Sequence, residues 1–204
     1  MKKKKVLFSL VIFFSLIILF FYYKNLKIVN NISKSNFDFK DYILNISSYE
    51  ATISVEITSN KNNNKYILKQ WFVSPNFFKQ EVQAPENIKG LTSIYDGKSL
   101  KIENSKLKLS KIYDNYNCVT NNVLNLSNFI EDIKNSEVIE IDEQEKTTIK
   151  IESNNRYSKY RELTIDKKTK LPCEVKIMDE NKKTLVYILY NEITINNTAK
   201  EDII

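Results

Sequence analysis

Histidine is absent from all 204 residues. That absence removes Ser-His and Cys-His catalysis, histidine general bases and histidine metal ligands together. Glycine is nearly absent too, with two residues. No glycine-rich phosphate loop, dinucleotide fingerprint or G-x-S-x-G elbow is present. Backbone positions with positive φ must therefore fall mostly on Asn, Asp and Lys. A net basic charge is missing from the body of the chain. Lys2, Lys3, Lys4, Lys5, Lys24 and Lys27 account for the whole formal charge of +6, and residues 28–204 are neutral. A nucleic-acid-binding face is excluded on that ground. Glu137, Glu140, Asp142, Glu143 and Glu145 form an acidic group around one hairpin, but no D-x-D-x-D-G pattern accompanies them. They are expected to be solvated hairpin charge. No pair of carboxylates is marked out for glycosidase-type work. The expectation is a chain that is not an enzyme, with no cofactor and no metal.

One long apolar run is present. Val6 to Tyr23 has no charge and follows the four lysines 2–5. As a helix it would rise about 27 Å, near the hydrocarbon thickness of a bilayer. The positive flank would stay in the cytoplasm and place the rest outside, with Tyr22 and Tyr23 at the far interface. The division expected is a basic tail at 1–5, a signal-anchor at 6–23, a linker at 24–34, a domain at 35–197 and a tail at 198–204. A cleaved signal peptide is the competing reading. The run is longer than a usual signal core, and no small-x-small site follows it. No cysteine closes it, so lipoprotein anchoring is not available.

The remainder alternates. Tyr49, Ala51, Ile53, Val55 and Ile57 interleave with Glu50, Thr52, Ser54, Glu56 and Thr58, giving one buried and one wet face. Further strands are predicted at 65–73, 77–82, 91–95, 99–103, 106–112, 137–142, 147–153, 157–166, 171–179 and 184–195. Asp96-Gly97 between apolar runs is the strongest hairpin signal. The last strand contains L-V-Y-I-L-Y, apolar on both faces, and belongs centrally or under a helix. Two amphipathic helices interrupt the series. One runs from a Ser35 cap to about Ile46 with Phe39, Tyr42, Ile43 and Ile46 on one face; the other carries Leu126, Phe129, Ile130 and Ile133, with Asn122, Asn125 or Ser127 as its cap. The fold class is mainly β (α+β): a curved antiparallel sheet of about eleven strands in meander order, a half-open barrel covered by two helices. A sheet of that length must curl or close.

Trp71, Phe72, Phe77, Phe78 and Tyr95 are the bulkiest set in the sheet. They are plain core or the lining of an apolar cavity. Cys118 and Cys173 are the only cysteines. Outside the cytoplasm they form a disulfide or stay as two buried thiols.

Three motifs in order carry a resemblance: W-F-V-S-P-N-F-F-K-Q-E-V-Q-A-P at 71–85, I-Y-D-G-K-S-L-K-I at 94–102 and T-I-D-K-K-T-K-L-P-C-E-V-K-I-M-D-E-N-K-K-T at 164–184. With the element order over 35–197, they resemble the LolA/RseB-like fold family, nearest to the clostridial germination proteins of the GerS group. That resemblance implies an unclosed barrel of about eleven strands covered by helices. It also implies an extracytoplasmic, non-enzymatic protein that binds an N-acetylmuramoyl-L-alanine amidase of the CwlD kind during spore cortex modification. The LolA/RseB side of the family implies instead a lipid or lipoprotein ligand in the cavity. The GerS-type lipobox cysteine is missing, and a transmembrane helix would take the place of the lipid anchor. The resemblance carries no binding residue over to a position here.

Overall fold

Alternation of apolar and polar side chains makes about half of the described residues sheet. A computed structural model describes residues 38–59, 62–116, 123–153 and 158–203. The expected tail 1–5, anchor 6–23 and linker 24–34 lie outside the described residues. No described helix is long and apolar enough to cross a membrane.

Helix α1 is Phe39–Leu44. Strands β1 (Ser48–Thr58), β2 (Asn63–Val73), β3 (Phe77–Ala84), β4 (Thr92–Tyr95), β5 (Leu100–Asn104) and β6 (Leu109–Tyr113) follow. Helix α2 is Leu126–Asn135. Strands β7 (Val138–Asp142), β8 (Lys146–Glu152), β9 (Tyr160–Asp166), β10 (Pro172–Met178) and β11 (Thr184–Ile195) complete the sheet. All eleven strands lie in one antiparallel sheet ordered β6-β5-β4-β3-β2-β1-β11-β10-β9-β8-β7. The expected single meander is thus two meanders. They are joined by the pairing of the first strand with the last, Tyr49 opposite Ile195 through Ile57 opposite Val186. The sheet stays open between β6 and β7, where the chain leaves to form α2. The apolar β11 is in the middle of the sheet, as its two-faced pattern requires.

Turn chemistry follows from the shortage of glycine. Positive φ falls on Lys108, Asn115, Lys170, Lys182 and Asn196 as well as on Gly90 and Gly97. Aspartates pin three of these turns. Asp96 Oδ1 accepts from the amides of Lys98 and Ser99. Asp166 Oδ1 accepts from that of Thr169, and Asp179 Oδ1 from those of Asn181 and Lys183. Each side chain copies a backbone turn, and at Asp166 and Asp179 the positive φ falls on a lysine rather than a glycine.

The first helix is capped by Asp38, whose Oδ1 accepts from the Asp41 amide at 2.9 Å. The expected cap Ser35 lies outside the described residues. Phe39, Ile43 and Ile46 are buried from this segment. Helix α2 buries Leu126, Phe129, Ile130 and Ile133, the predicted stripe. Asn125 holds its N-cap position, with Asn125 O accepting from the Asn128 and Phe129 amides.

The core is on the inner face. Ile53, Val55, Ile149, Leu163, Ile165 and Ile188 are each at most 1% exposed. Full burial of such a side chain contributes about 1.5–3 kcal/mol. The chain beyond β11, expected as a tail, turns back on the outer face. Residues Lys200–Asp202 form a short 3-10 turn. Ile203 is buried, and Lys79 Nζ donates to its carbonyl oxygen at 2.8 Å.

Candidate functional site

Register places one row of rings across the inner face. Tyr49 is opposite Phe72, Phe72 opposite Phe78, Phe78 opposite Tyr95, Tyr95 opposite Leu100, and Leu100 opposite Tyr113. Directly paired residues of antiparallel strands share a face, so these side chains form a continuous band. The rings of Tyr49 and Phe72 stack with centroids 5.4 Å apart. Tyr95 is steadied by its hydroxyl, which donates to the Gly97 carbonyl at 3.0 Å.

Trp71 and Phe77 have the opposite parity. Trp71 pairs with Lys79, and Val73 with Phe77, on the outer face. The Trp71 ring is flanked by the ammonium groups of Lys69 and Lys79, at 4.9 and 5.3 Å from its centroid. Phe77 is covered by the returning C-terminal residues, with Lys200 Nζ 5.1 Å from its ring. The five aromatic residues grouped by sequence are therefore two groups on two faces. Phe72, Phe78 and Tyr95 share one space; Trp71 and Phe77 do not enter it.

That space is a cavity of about 470 Å³ between the ring band and the two helices. Phe72, Phe78 and Tyr95 form the sheet wall, with Leu44 and Ile46 at the α1 end and Ile130 on α2. The turn Ser74–Asn76 closes one end. A Cβ at Gly97 would come within 3.2 Å of Asn76, so that turn and the β4–β5 turn meet closely. Glu131 and Lys134 stand at the rim, paired at 3.1 Å. The volume is within the usual range for small-molecule sites. Its aromatic sheet wall faces Asn125, Ser127 and Asn128 beside Ile130, a mixed lining that suits an acyl chain with a polar head or the side chains of a peptide.

Buried polar groups with no motif in the sequence lie between the α2 segment and the sheet. Gln70 is fully buried, and its Nε2 donates to Gln80 Oε1 at 3.0 Å and to the Leu124 carbonyl at 3.3 Å. Arg161 is 5% exposed, forms an ion pair with Asp132 of α2 and has its guanidinium 5.4 Å from the Phe129 ring centroid. Burial pulls its pKa down to about 10. Its Nε and Nη2 meet no acceptor among the described residues. The signal for Arg161 was its parity with Leu163 and Ile165 in β9: a charge at a position of the apolar face.

The acidic group does not converge. Asp142 accepts from Thr147 Oγ1 at 3.0 Å and pairs with Lys167. The Glu140 carboxyl is raised by burial and then by Asp38. Among the described residues no three metal-ligating side chains cluster. Cys173 is half-buried with no disulfide partner among the described residues, its Sγ 3.7 Å from the Leu171 carbonyl oxygen. Cys118 lies outside the described residues.

Comparison with known proteins gives a family. The family model described as "Sporulation protein YdcC-like" matches residues 3–204. A comparison with curated proteins returns no match. Among solved structures, an uncharacterized conserved protein of Thermus thermophilus superposes with a TM-score of 0.52 at 14% identity, covering 80% of this chain and 87% of that one. MucB superposes at 0.51 with 11% identity, covering 81% of this chain and 60% of its own. GerS in complex with the CwlD amidase, from Clostridioides difficile, superposes at 0.47 with 21% identity, covering 76% of this chain and 90% of that one. At these identities the likeness concerns the fold. The LolA/RseB-like architecture expected from the three motifs is the one observed.

Proposed function

Because the chain belongs to the sporulation protein YdcC-like family, we propose that it is a non-enzymatic, membrane-anchored extracytoplasmic binding protein acting in spore envelope development. The observation that carries this reading is the half-covered inner face. Its aromatic band walls a cavity with one side under α2 and the other side open. Such a space binds an apolar segment of a partner. The partner class to test is a cell-wall N-acetylmuramoyl-L-alanine amidase, after the GerS–CwlD pair. The apolar run 6–23 would hold the domain at the outer surface of the membrane.

Co-purification of the full chain with the spore amidase tests the partner. A complex that survives gel filtration is expected, and Tyr95→Ala should weaken it about tenfold by removing one wall of the cavity. Failure of the wild-type chain to form any complex sinks the amidase as partner. A second reading rests on the aromatic sheet wall of the cavity: an acyl chain as ligand, in a sensor or local chaperone. Native mass spectrometry of the full chain released from detergent decides it. Retained lipid that Phe78→Asp expels supports the ligand; an empty wild-type protein removes it.

A further inference from the structure

The β5–β6 hairpin concentrates exposed apolar surface. Eight large apolar residues stand exposed among the described residues, and four of them, Leu107, Leu109, Ile112 and Tyr113, fall within this one hairpin. Leu107, Leu109 and Ile112 are 59%, 59% and 58% exposed. Lysines are interleaved with them. Lys98, Lys101, Lys106, Lys108 and Lys111 outnumber three acids, Asp96, Glu103 and Asp114, over residues 96–114, and only Glu103 stands inside the strands. Lys101 pairs with Glu103 and Lys106 with Glu86, whereas Lys108 and Lys111 form no ion pair among the described residues. The hairpin is the rim of the sheet, since β6 pairs with β5 alone.

We propose that the β5–β6 hairpin is a contact site for an anionic membrane surface. Parity supports an edge-on approach. Leu109 and Tyr113 point to the inner face and Ile112 to the outer face, so apolar groups flank the free edge on both sides. The lysines would reach lipid phosphates while the apolar groups enter the headgroup boundary. The unpaired backbone of β6 keeps the contact at that depth, because it cannot be stripped of water in hydrocarbon. Tyr113 suits the same level, with an apolar ring and a polar tip.

The opposite edge serves as an internal contrast. β7 also exposes apolar groups, Ile139 at 64% and Ile141 at 38%. There the neighbours are Glu137, Glu140, Asp142, Glu143 and Glu145, which an anionic leaflet repels. Charge therefore selects one edge of the sheet. The proposal rests on the anchoring of residues 6–23. From Lys24 to Phe37, the linker 24–34 and the three residues after it, the chain can span at most roughly 50 Å. That tether raises the local concentration of the hairpin at the bilayer, so a weak contact suffices.

The test is hydrogen exchange of the full chain in nanodiscs of phosphatidylcholine alone and of phosphatidylcholine mixed with phosphatidylglycerol. In the anionic discs, amides of residues 105–113 should exchange about tenfold more slowly than in the zwitterionic discs. Those of β7 and β1 should not change. The Lys106→Gln, Lys108→Gln, Lys111→Gln triple variant and the Leu107→Ser, Leu109→Ser, Ile112→Ser triple variant should each lose the difference. All six side chains are on the surface, and unchanged β1 exchange verifies the fold. A chain that enters both discs with identical hairpin exchange overturns the proposal and leaves the anchor standing. A chain that binds only anionic discs, releases in salt and still protects the hairpin overturns the anchor and leaves the proposal standing. Absence from both discs overturns both. Protection that appears only when the amidase is added assigns the hairpin to a protein partner and also overturns it.

Discussion

From β8 to β10 the inner face is closed; from β4 to β6 it is not. Ile149, Ile151, Leu163, Ile165, Val175 and Ile177 are each at most 3% exposed. In the other wing Tyr95, Leu100 and Ile102 are half-exposed, and Leu109 and Tyr113 are open to solvent. Both wings have the same alternation, so propensity does not separate them. What separates them is α2. Its ion pair with Arg161, the Gln70 bond to Leu124 just before it and the approach of Leu126 and Ser127 to Tyr49 bring it over β9, β2 and β1, where its apolar stripe is buried. The far wing has no second helix to cover it. One half holds the stability and the other presents the binding surface, which is the division expected where function needs exposed apolar groups.

Truncation should reveal this division most strongly. Phe129→Ala removes a ring that is 1% exposed at the contact of α2 with Arg161. It should cost about 3–5 kcal/mol in urea unfolding. Tyr95→Ala removes a half-exposed ring in the open wing and should cost about 1 kcal/mol. Equal losses would mean that the wing belongs to the same cooperative core, and the comparison would fail.

A smaller effect is expected at the polar clamp. Arg161 carries the cost of its burial with two nitrogens lacking acceptors among the described residues. Asp132 keeps access to water, with its side chain 41% exposed. Removing the cation therefore does not strand a buried anion. Arg161→Met should be neutral or more stable by about 1 kcal/mol. A loss above roughly 2 kcal/mol in the same unfolding assay would show that the guanidinium itself secures α2.

Much of this arrangement is legible in the order of residues alone. Strict alternation from Tyr49 to Ile57 and the stripe Leu126, Phe129, Ile130 and Ile133 each require one periodicity and one buried face. The parity of Phe72, Phe78 and Tyr95 against Trp71 and Phe77 is also in the pattern, yet bulk alone groups them. What local pattern cannot supply is long-range pairing. Nothing near Tyr49 specifies Ile195 as its opposite residue, and that pair decides where the sheet opens. The return of Lys200 to Ile203 onto Phe77 is of the same kind: a short polar run gives no sign of its docking site. Asp38 as cap of α1 is readable in principle, but Ser35 offers the same chemistry three residues earlier.

The finest test uses two turns of one design, one in each wing. Asp96 closes the β4–β5 turn in the open wing and Asp166 the β9–β10 turn in the closed half. Amide hydrogen bonds from Ser99 and Lys98 hold the Asp96 carboxyl below its ordinary range. Hydrogen bonds from the Thr169 amide and hydroxyl do the same for Asp166. A folded-state pKa below the unfolded value means stability that is present above about pH 4 and lost as pH falls through the folded value. Both carboxyls are at the surface, so both effects are small. They should differ in where they appear. Asp166→Asn should flatten the acid dependence of global unfolding, because its turn joins strands that unfold only with the core. Asp96→Asn should leave that dependence unchanged and speed exchange only at the amides of residues 97–100, because the wing opens on its own. If Asp96→Asn alters the global acid profile as much as Asp166→Asn, the two wings unfold together.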